Sequence, residues 1–442
     1  MKRLIAVILC ITMLAGLTAC AGNKTGGETD SIGTETDEPD TDEPETDEPE
    51  TDEPETDQPE EPATVKAEEI SGYMTDGING TGTKLLEALY DGGKNVFISP
   101  LSISLDFGIL YTGAAGDTKK AMMDYFGYAD DFAAHVKDMH LVTEYLTKGH
   151  SGAHYHIANS IWINDMIEDR MNPGFTDTWK EEKADIFVED FGDAALVDRI
   201  NGWVKENTKG MIPEVLDNVG PEALMYLINA IYFEGKWYDP FSGDDYYKDK
   251  IFHASAGDIK VDYMARQDRF CYLNDGEASC VRIPYSDGMT SMYIILPHNG
   301  ADPKDFITRI PEYVKETGEA GSAEVFLQLP KMKLKYSASS EIVDAMKNGG
   351  LDIIFSDHAD FSEMADGGLS VGNVIHKTAL EVDEDGTKAA AATVIEIKET
   401  AAAPGEEDEI IYMIVDSPFF LVIADDDTGM IIFEGYIQDP RK

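Results

Sequence analysis

Few side chains in this sequence are placed to do chemistry. His150, His154 and His156 form the one histidine cluster, and His154 and His156, two residues apart, would share a strand face and offer two imidazoles to a metal. No carboxylate partner is in reach by sequence, so a loop running into a strand edge accounts for them, and no metal or other cofactor is expected. His376 sits in an apolar run and reads as a core histidine rather than a base. Arg269 and Arg282 lie near Cys271 but not close enough to mark a reactive thiol. No Gly-x-Ser-x-Gly elbow, phosphate-binding glycine loop or His-Glu-x-x-His helix occurs. With no catalytic residue to name, the chain is not expected to be an enzyme.

The informative stretch is 381–423. Leu380 and Val382 alternate with polar neighbours as at the end of a strand, and the apolar run 419–423 reads as the next strand. Between Gly386 and Pro418 lie about thirty residues without strong helix caps, and loops that long are usually functional or disordered. Read with period two, one face carries Thr387, Ala389, Ala391, Thr393, Ile395 and Ile397. The other carries Lys388, Ala390, Ala392, Val394, Glu396 and Lys398, so every charge up to Lys398 falls on one side. That is the pattern of a half-buried strand, yet it stands inside a loop and is rich in Ala, a poor strand former. An Ala-rich linker or short helix is the plain alternative. The pattern suggests a spare strand, 387–398, held outside a sheet and inserted later.

The elements that must position this stretch follow from the rest of the chain. Residues 66–91 read helical, with Leu85, Leu86 and Leu89 on one side. Ser99 before Pro100 is a good N-cap with Pro in the first position, and it opens an apolar helix through Leu110. Residues 157–163 alternate as a strand, and 198–209 read as a helix containing Trp203. Residues 224–233 are a long apolar strand in which Asn229 is costly unless hydrogen-bonded. Further strands are expected at 281–284, 292–296, 325–329 and 374–380. If Asp275-Gly276 makes a two-residue hairpin turn, Cys271 faces Cys280 at a separation that permits a disulfide. A three- or four-residue loop would break that register.

The N-terminal part is different in kind. Lys2 and Arg3 precede an apolar run too short to span a membrane, which reads as a signal peptide over 1–19. Leu17-Thr18-Ala19-Cys20 resembles a bacterial lipobox, which implies cleavage before Cys20 and its acylation. Residues 20–65 form an acidic stalk of recurring Thr, Asp, Glu and Pro, expected to be a solvated spacer without a core. Residues 66–442 make one folded domain. The protein is thus expected to be exported and lipid-anchored on a bacterial envelope through Cys20, or extracellular. The formal net charge of −50 argues against nucleic-acid partners and steers cationic ones.

Several blocks resemble one family. The run 386–393, Gly-Thr-Lys-Ala-Ala-Ala-Ala-Thr, is similar to the hinge of the serpin reactive-centre loop: Gly386, Thr387, Lys388, Ala389, Ala390, Ala391, Ala392 and Thr393. Residues 413–423 resemble the serpin C-terminal signature. Phe97, Ser99, Pro100 and Ser102, then Ile200-Asn201-Gly202-Trp203-Val204, Asn229, Gly235-Lys236-Trp237, Leu329-Pro330-Lys331-Met332, 351–355 and 374–380 match family segments in order. The resemblance implies an α+β serpin fold with three β-sheets, about nine helices and a long exposed reactive-centre loop, here 386–417. It implies a shutter in which Ser99 and Ser102 lie beneath the main sheet and His376 bonds Asn229. It also implies a breach where Trp237 caps the sheet and Lys331 pairs with Glu384.

The activity implied is suicide inhibition of a serine protease through a covalent complex, by a monomer. Family spacing from Gly386 puts the scissile bond at Thr400-Ala401, where a small residue suits an elastase-like or subtilisin-like pocket. Cleavage after Lys398, for a trypsin-like enzyme, and at Ala401-Ala402 are the alternatives. Glu406, Glu407, Asp408 and Glu409 would attract a cationic protease such as a granulocyte elastase. A non-inhibitory, surface-tethered binding or adhesion role is the competing reading. The small uncharged Thr387, Ala389, Ala391 and Thr393 favour inhibition, because insertion needs such residues on the buried face.

Overall fold

The computed structural model describes residues 65–148, 152–220, 222–241, 247–372, 374–387 and 409–442. All of them belong to the compact unit Glu61–Lys442. In chain order the elements begin α1 (Gly72–Leu89), β1 (Val96–Ile98), α2 (Pro100–Thr112), α3 (Gly116–Phe126), α4 (Phe132–Lys148), β2 (Ala153–Asn164), α5 (Pro173–Glu181), β3 (Asp185–Glu189), α6 (Leu196–Asn207) and β4 (Met225–Lys236). They continue with β5 (Lys250–Ala254), β6 (Gly257–Val261), β7 (Tyr263–Asn274), β8 (Ala278–Pro284), β9 (Thr290–Pro297), α7 (Lys304–Ile307), α8 (Ile310–Glu319), β10 (Ser322–Pro330), β11 (Met332–Ala338) and α9 (Ser340–Met346). The last strands are β12 (His376–Val382), β13 (Gly386–Thr387), β14 (Ile411–Ile414), β15 (Phe419–Asp425) and β16 (Ile431–Ile437).

Three sheets result, as expected for an α+β protein of this class. One has eight strands in the order β1-β16-β15-β9-β8-β7-β10-β14, one has six in the order β11-β12-β13-β4-β2-β3, and β5-β6 form a small hairpin. β15 and β16 are buried along their whole length. Their apolar runs suit strands covered on both faces. α2 is likewise buried nearly all round, as a helix apolar on every side must be. Ser99 caps it: its Oγ accepts the Ser102 N–H at 3.1 Å, and Pro100 opens the first turn.

The six-stranded sheet is asymmetric. β2 and β4 are zipped together antiparallel from Ala153↔Gly235 to Ile163↔Met225, and β11 and β12 from Met332↔Val382 to Ala338↔His376. Among the described residues only β13 stands between these halves, with Val382↔Thr387 on one side and Thr387↔Gly235 on the other. Below β13 no described residue bridges β12 and β4. A cavity of about 480 Å³ fills that gap, lined by Met225, Leu227, Ile228 and Ile231 of β4, His376 of β12 and Phe107 of α2.

The expected disulfide is not there. β7 and β8 close through a four-residue loop, with Asn274 opposite Ser279 and Leu273 opposite Cys280. The side chain of Asp275 widens the turn: its Oδ1 accepts the N–H groups of Glu277 at 2.9 Å and Ala278 at 2.8 Å. Arg309 and Tyr313 hold its other oxygen. Cys280 therefore faces a residue two positions from Cys271, and Cys271 and Cys280 are both free thiols. Burial pushes the Cys280 thiol up to about 12, so it is not a nucleophile.

Candidate functional site

The site is the top of the six-stranded sheet, where the chain leaves β12, turns and re-enters as β13. The turn is local chemistry. Asp385 N–H is accepted by the Asp383 carboxylate at 3.0 Å, and Asp383 N–H by the Gly386 carbonyl at 3.0 Å. Gly386 then passes so close to β4 that a Cβ would lie 2.2 Å from the Gly235 carbonyl oxygen. Only glycine fits there. Gly235 is equally constrained, since a Cβ on it would lie 2.8 Å from ring carbons of Phe233 and Tyr285.

Thr387 follows, 1% exposed, with its Oγ1 2.5 Å from the Tyr285 hydroxyl. The sequence expectation held 387–398 outside the sheet; the structure corrects it by one residue, because Thr387 is already inside. The backbone reason is that β13 pairs with the facing edges of both β4 and β12 at this end of the sheet. Trp237 covers this corner. Its ring stacks on Tyr285 at 4.7 Å, its Nε1 donates to the Asp383 carbonyl at 2.9 Å and its N–H to the Asp385 carbonyl at 3.1 Å. Phe241 N–H adds a bond to the Glu384 carbonyl at 2.9 Å. Lys331 and Glu384 meet at 2.5 Å as expected, but both are partly exposed. Such a pair contributes at most about 1 kcal/mol.

A second cluster lies beneath the lower end of the gap. The Ser99 N–H donates to His376 Nε2 at 3.1 Å, and Ser99 Oγ donates to the Ile432 carbonyl at 2.7 Å. A backbone N–H can only donate, so Nε2 carries no proton. Burial holds the imidazole down to about 4, which keeps it neutral. Thr378 Oγ1 ties β12 to β1 through the Phe97 carbonyl at 2.6 Å. Ser99, Ser102 and His376 are thus brought together. Asn229 lies on β4 opposite Asn159 of β2, but its side chain lies outside the described residues. So do Lys388, Ala389, Ala390, Ala391, Ala392 and Thr393, the bond Thr400-Ala401, the anchor residue Cys20 and His150.

His154 and His156 share the outer face of β2, opposite Glu234 and Tyr232. His156 packs on the Tyr232 ring at 5.7 Å, and among the described residues no three metal-ligating side chains converge. Sequence reasoning missed Tyr285 and Phe241. Tyr285 directly follows β8 in an Ile-Pro-Tyr-Ser run with no feature to single it out. Its role exists only because β8 brings it under the hinge.

The sequence model described as Serpin (serine protease inhibitor) matches residues 76–440. The chain belongs to the serpin family. Its relatives include Iripin-2 of the tick Ixodes ricinus, 31% identical with 83% of this chain and 93% of that protein covered. Another is an uncharacterized serpin-like protein of Thermococcus kodakarensis, 29% identical with 83% and 86% covered. Among solved structures, the thermophilic serpin tengpin in its native state is 29% identical with a TM-score of 0.73, covering 84% of this chain and 95% of that one. Tengpin in its latent state gives 0.70 at 26% identity, with 83% and 98% covered. This serpin is therefore a protease inhibitor rather than an enzyme, and its family implies a serine protease as the target.

Proposed function

We propose that this serpin traps an elastase-like or subtilisin-like serine protease by inserting residues 388–398 into the gap between β12 and β4 after cleavage near Thr400-Ala401. The observation that carries the reading is the register of β13. Continued downward from Thr387↔Gly235 and Val382↔Thr387, it would set an inserted Ala389 beside Phe233 and Leu380, Ala391 beside Ile231 and Thr378, and Thr393 beside Asn229 and His376. Ile395 would then reach Leu227, and Ile397 would reach Met225, where β4 itself begins. The spare strand has the length of the slot. Its inward face is the one Thr387 already presents to Tyr285, small above and apolar below, where Met225, Leu227 and Ile228 line the cavity. Glu399 would be the first charge on that face, which supports a stop, and a cut, just beyond it.

The gain is a ladder on both strand edges. At about 1 kcal/mol net per hydrogen bond, a strand of this length yields on the order of 10 kcal/mol. That suffices to drag an acyl-linked protease from the loop and deform its catalytic site before hydrolysis. The acidic run 406–409 supports steering of a cationic protease, and the association rate should then fall as salt rises. The leader over 1–19, followed by Cys20, supports an exported, lipid-anchored form. Incubation with a panel of elastase-like, subtilisin-like and trypsin-like enzymes tests the reading. A complex surviving denaturing gels, with a released peptide beginning at Ala401, is the expected result. A peptide beginning at Glu399 moves the target to the trypsin-like class, and cleavage of the serpin by every enzyme without a complex overturns inhibition.

A further inference from the structure

The segment 237–241 supplies three of the hydrogen bonds that hold the turn above β13. Its start is paired beside β8, where Trp237 bridges Tyr285 and the Tyr238 N–H donates to the Pro284 carbonyl at 3.0 Å. What fixes its far end, Asp239 to Phe241, is Arg266 of β7. The guanidinium stands between two aromatic faces, 5.1 Å from the Phe241 ring centre and 4.6 Å from that of Phe270. Its Nη1 donates to the Asp239 carbonyl. Its side chain is 10% exposed, and its Nε is 3.5 Å from an Asp268 carboxylate oxygen. A buried cation is costly to desolvate, and cation–π contacts of this kind recover part of that cost while fixing both rings. Phe241 in turn meets Trp237 edge to face at 5.7 Å, and Trp237 stacks on Tyr285, which holds Thr387. One side chain thus ties sheet strand β7, through a column of rings, to the point where the hinge starts.

We propose that Arg266 is a positioning residue for inhibition: it clamps segment 237–241 so that the turn 383–386 is already shaped as the head of the hairpin that β12 and the inserted hinge will form. The inference rests on the insertion reading above. Insertion is a race against hydrolysis of the acyl-enzyme, and a turn formed in advance spares the inserting strand its slowest step, closing the first pair. Loosening the clamp slows the zip without touching the loop that the protease attacks. Arginine is suited to this because its plane stacks on two rings while its edge donates to a carbonyl; lysine can do only part of that.

The test measures, for the whole protein, how many molecules of serpin are consumed per protease trapped and the rate of first attack. Arg266→Met should raise the consumption several-fold with the rate of attack unchanged, and Arg266→Lys should fall between Met and the parent. Phe241→Leu should act in the same direction, and the double variant should be no worse than the poorer single one. Ile294→Val, a buried change in the eight-stranded sheet away from the hinge, controls for general destabilisation. If consumption by Arg266→Met is that of the parent, or merely follows the melting temperature as in the control, the role of Arg266 is overturned while insertion stands. If the parent itself yields no covalent complex, both fall together.

Discussion

Glu434 is the residue whose presence in the core needs a physical reason. It lies in β16 opposite Ile98 and Val422, fully buried, and neither carboxyl oxygen has a hydrogen-bond partner among the described residues. Its Oε1 would be 2.2 Å from a Cβ at Gly82, so α1 is packed directly upon it. Burial alone pushes its carboxyl from 4.5 up to about 8. A folded value above the unfolded one means that the folded state prefers the proton. The contribution is complete below pH 4.5 and lost as pH rises towards 8, at about 1.4 kcal/mol per pH unit. His376 has the opposite sign. Its folded value is depressed from 6.5 to about 4, so its contribution is present above 6.5 and lost as pH falls through that window. The two slopes oppose each other between pH 4.5 and 6.5, which leaves these groups favouring mildly acidic conditions. Glu434→Gln should leave the denaturant midpoint nearly unchanged at pH 5 and raise it at pH 8.5, by the equivalent of a few kcal/mol. A difference that is the same at both pH values would show that the carboxyl is not held protonated.

At the scale of elements, the decisive pair is β12 and β13. If the inward face of 387–397 is what the slot accepts, the position in the middle of that face is the most informative to change. Ala391 would lie between Ile231 and Thr378 when inserted, so Ala391→Arg places a charge in the core at the halfway point. The expected outcome is a serpin that is cleaved at the parent's rate but forms less than about a tenth of the parent's covalent complex, since a penalty above 1.4 kcal/mol already shifts a partition tenfold. Undiminished complex would mean that Ala391 never enters the sheet. Thr387 is less useful for this purpose, because its side chain is already buried against Tyr285 and a bulky replacement would disturb the intact protein too. This difference marks what the sequence could carry. The alternation of Leu380 and Val382, the cap at Ser99 and the two-faced pattern of 387–398 are local, so they are legible as letters at fixed spacing. Whether the turn at Asp275 holds two residues or four is not legible, because its side chain is held by Arg309 and Tyr313, which arrive from α8 and its N-terminal edge. The column from Arg266 to Thr387 joins residues far apart in sequence, and the gap between β12 and β4 is a missing contact. No spacing rule points to either.

At the scale of the whole molecule, the described residues leave a slot in the six-stranded sheet below β13, and the sequence that follows Thr387 supplies a strand of matching length. Among the described residues no strand pairs with the two edges facing that slot below β13, and a cavity of about 480 Å³ lies beside β4 and the start of β12. A more stable arrangement of the same chain is therefore available on paper, and what keeps the protein from it must be a barrier rather than an equilibrium. Two features supply one. The β12 half of the sheet is tied to the layer beneath by His376–Ser99 and Thr378–Phe97, and the strand that would fill the gap is joined at both ends, to Thr387 and to β14. Cutting the connection between them removes the second constraint and leaves the first to be overcome by zipping. The expectation is that limited cleavage anywhere between 398 and 409 by a protease that is not trapped converts the serpin to a form melting about ten degrees higher or more. A gain on the order of 10 kcal/mol implies such a rise in a domain of this size. Amides of 389–397 should then exchange with solvent as slowly as those of β4. If the cut protein melts where the intact one does and those amides remain unprotected, the slot is not a destination for the strand, and the register that begins at Gly386 and Thr387 ends there.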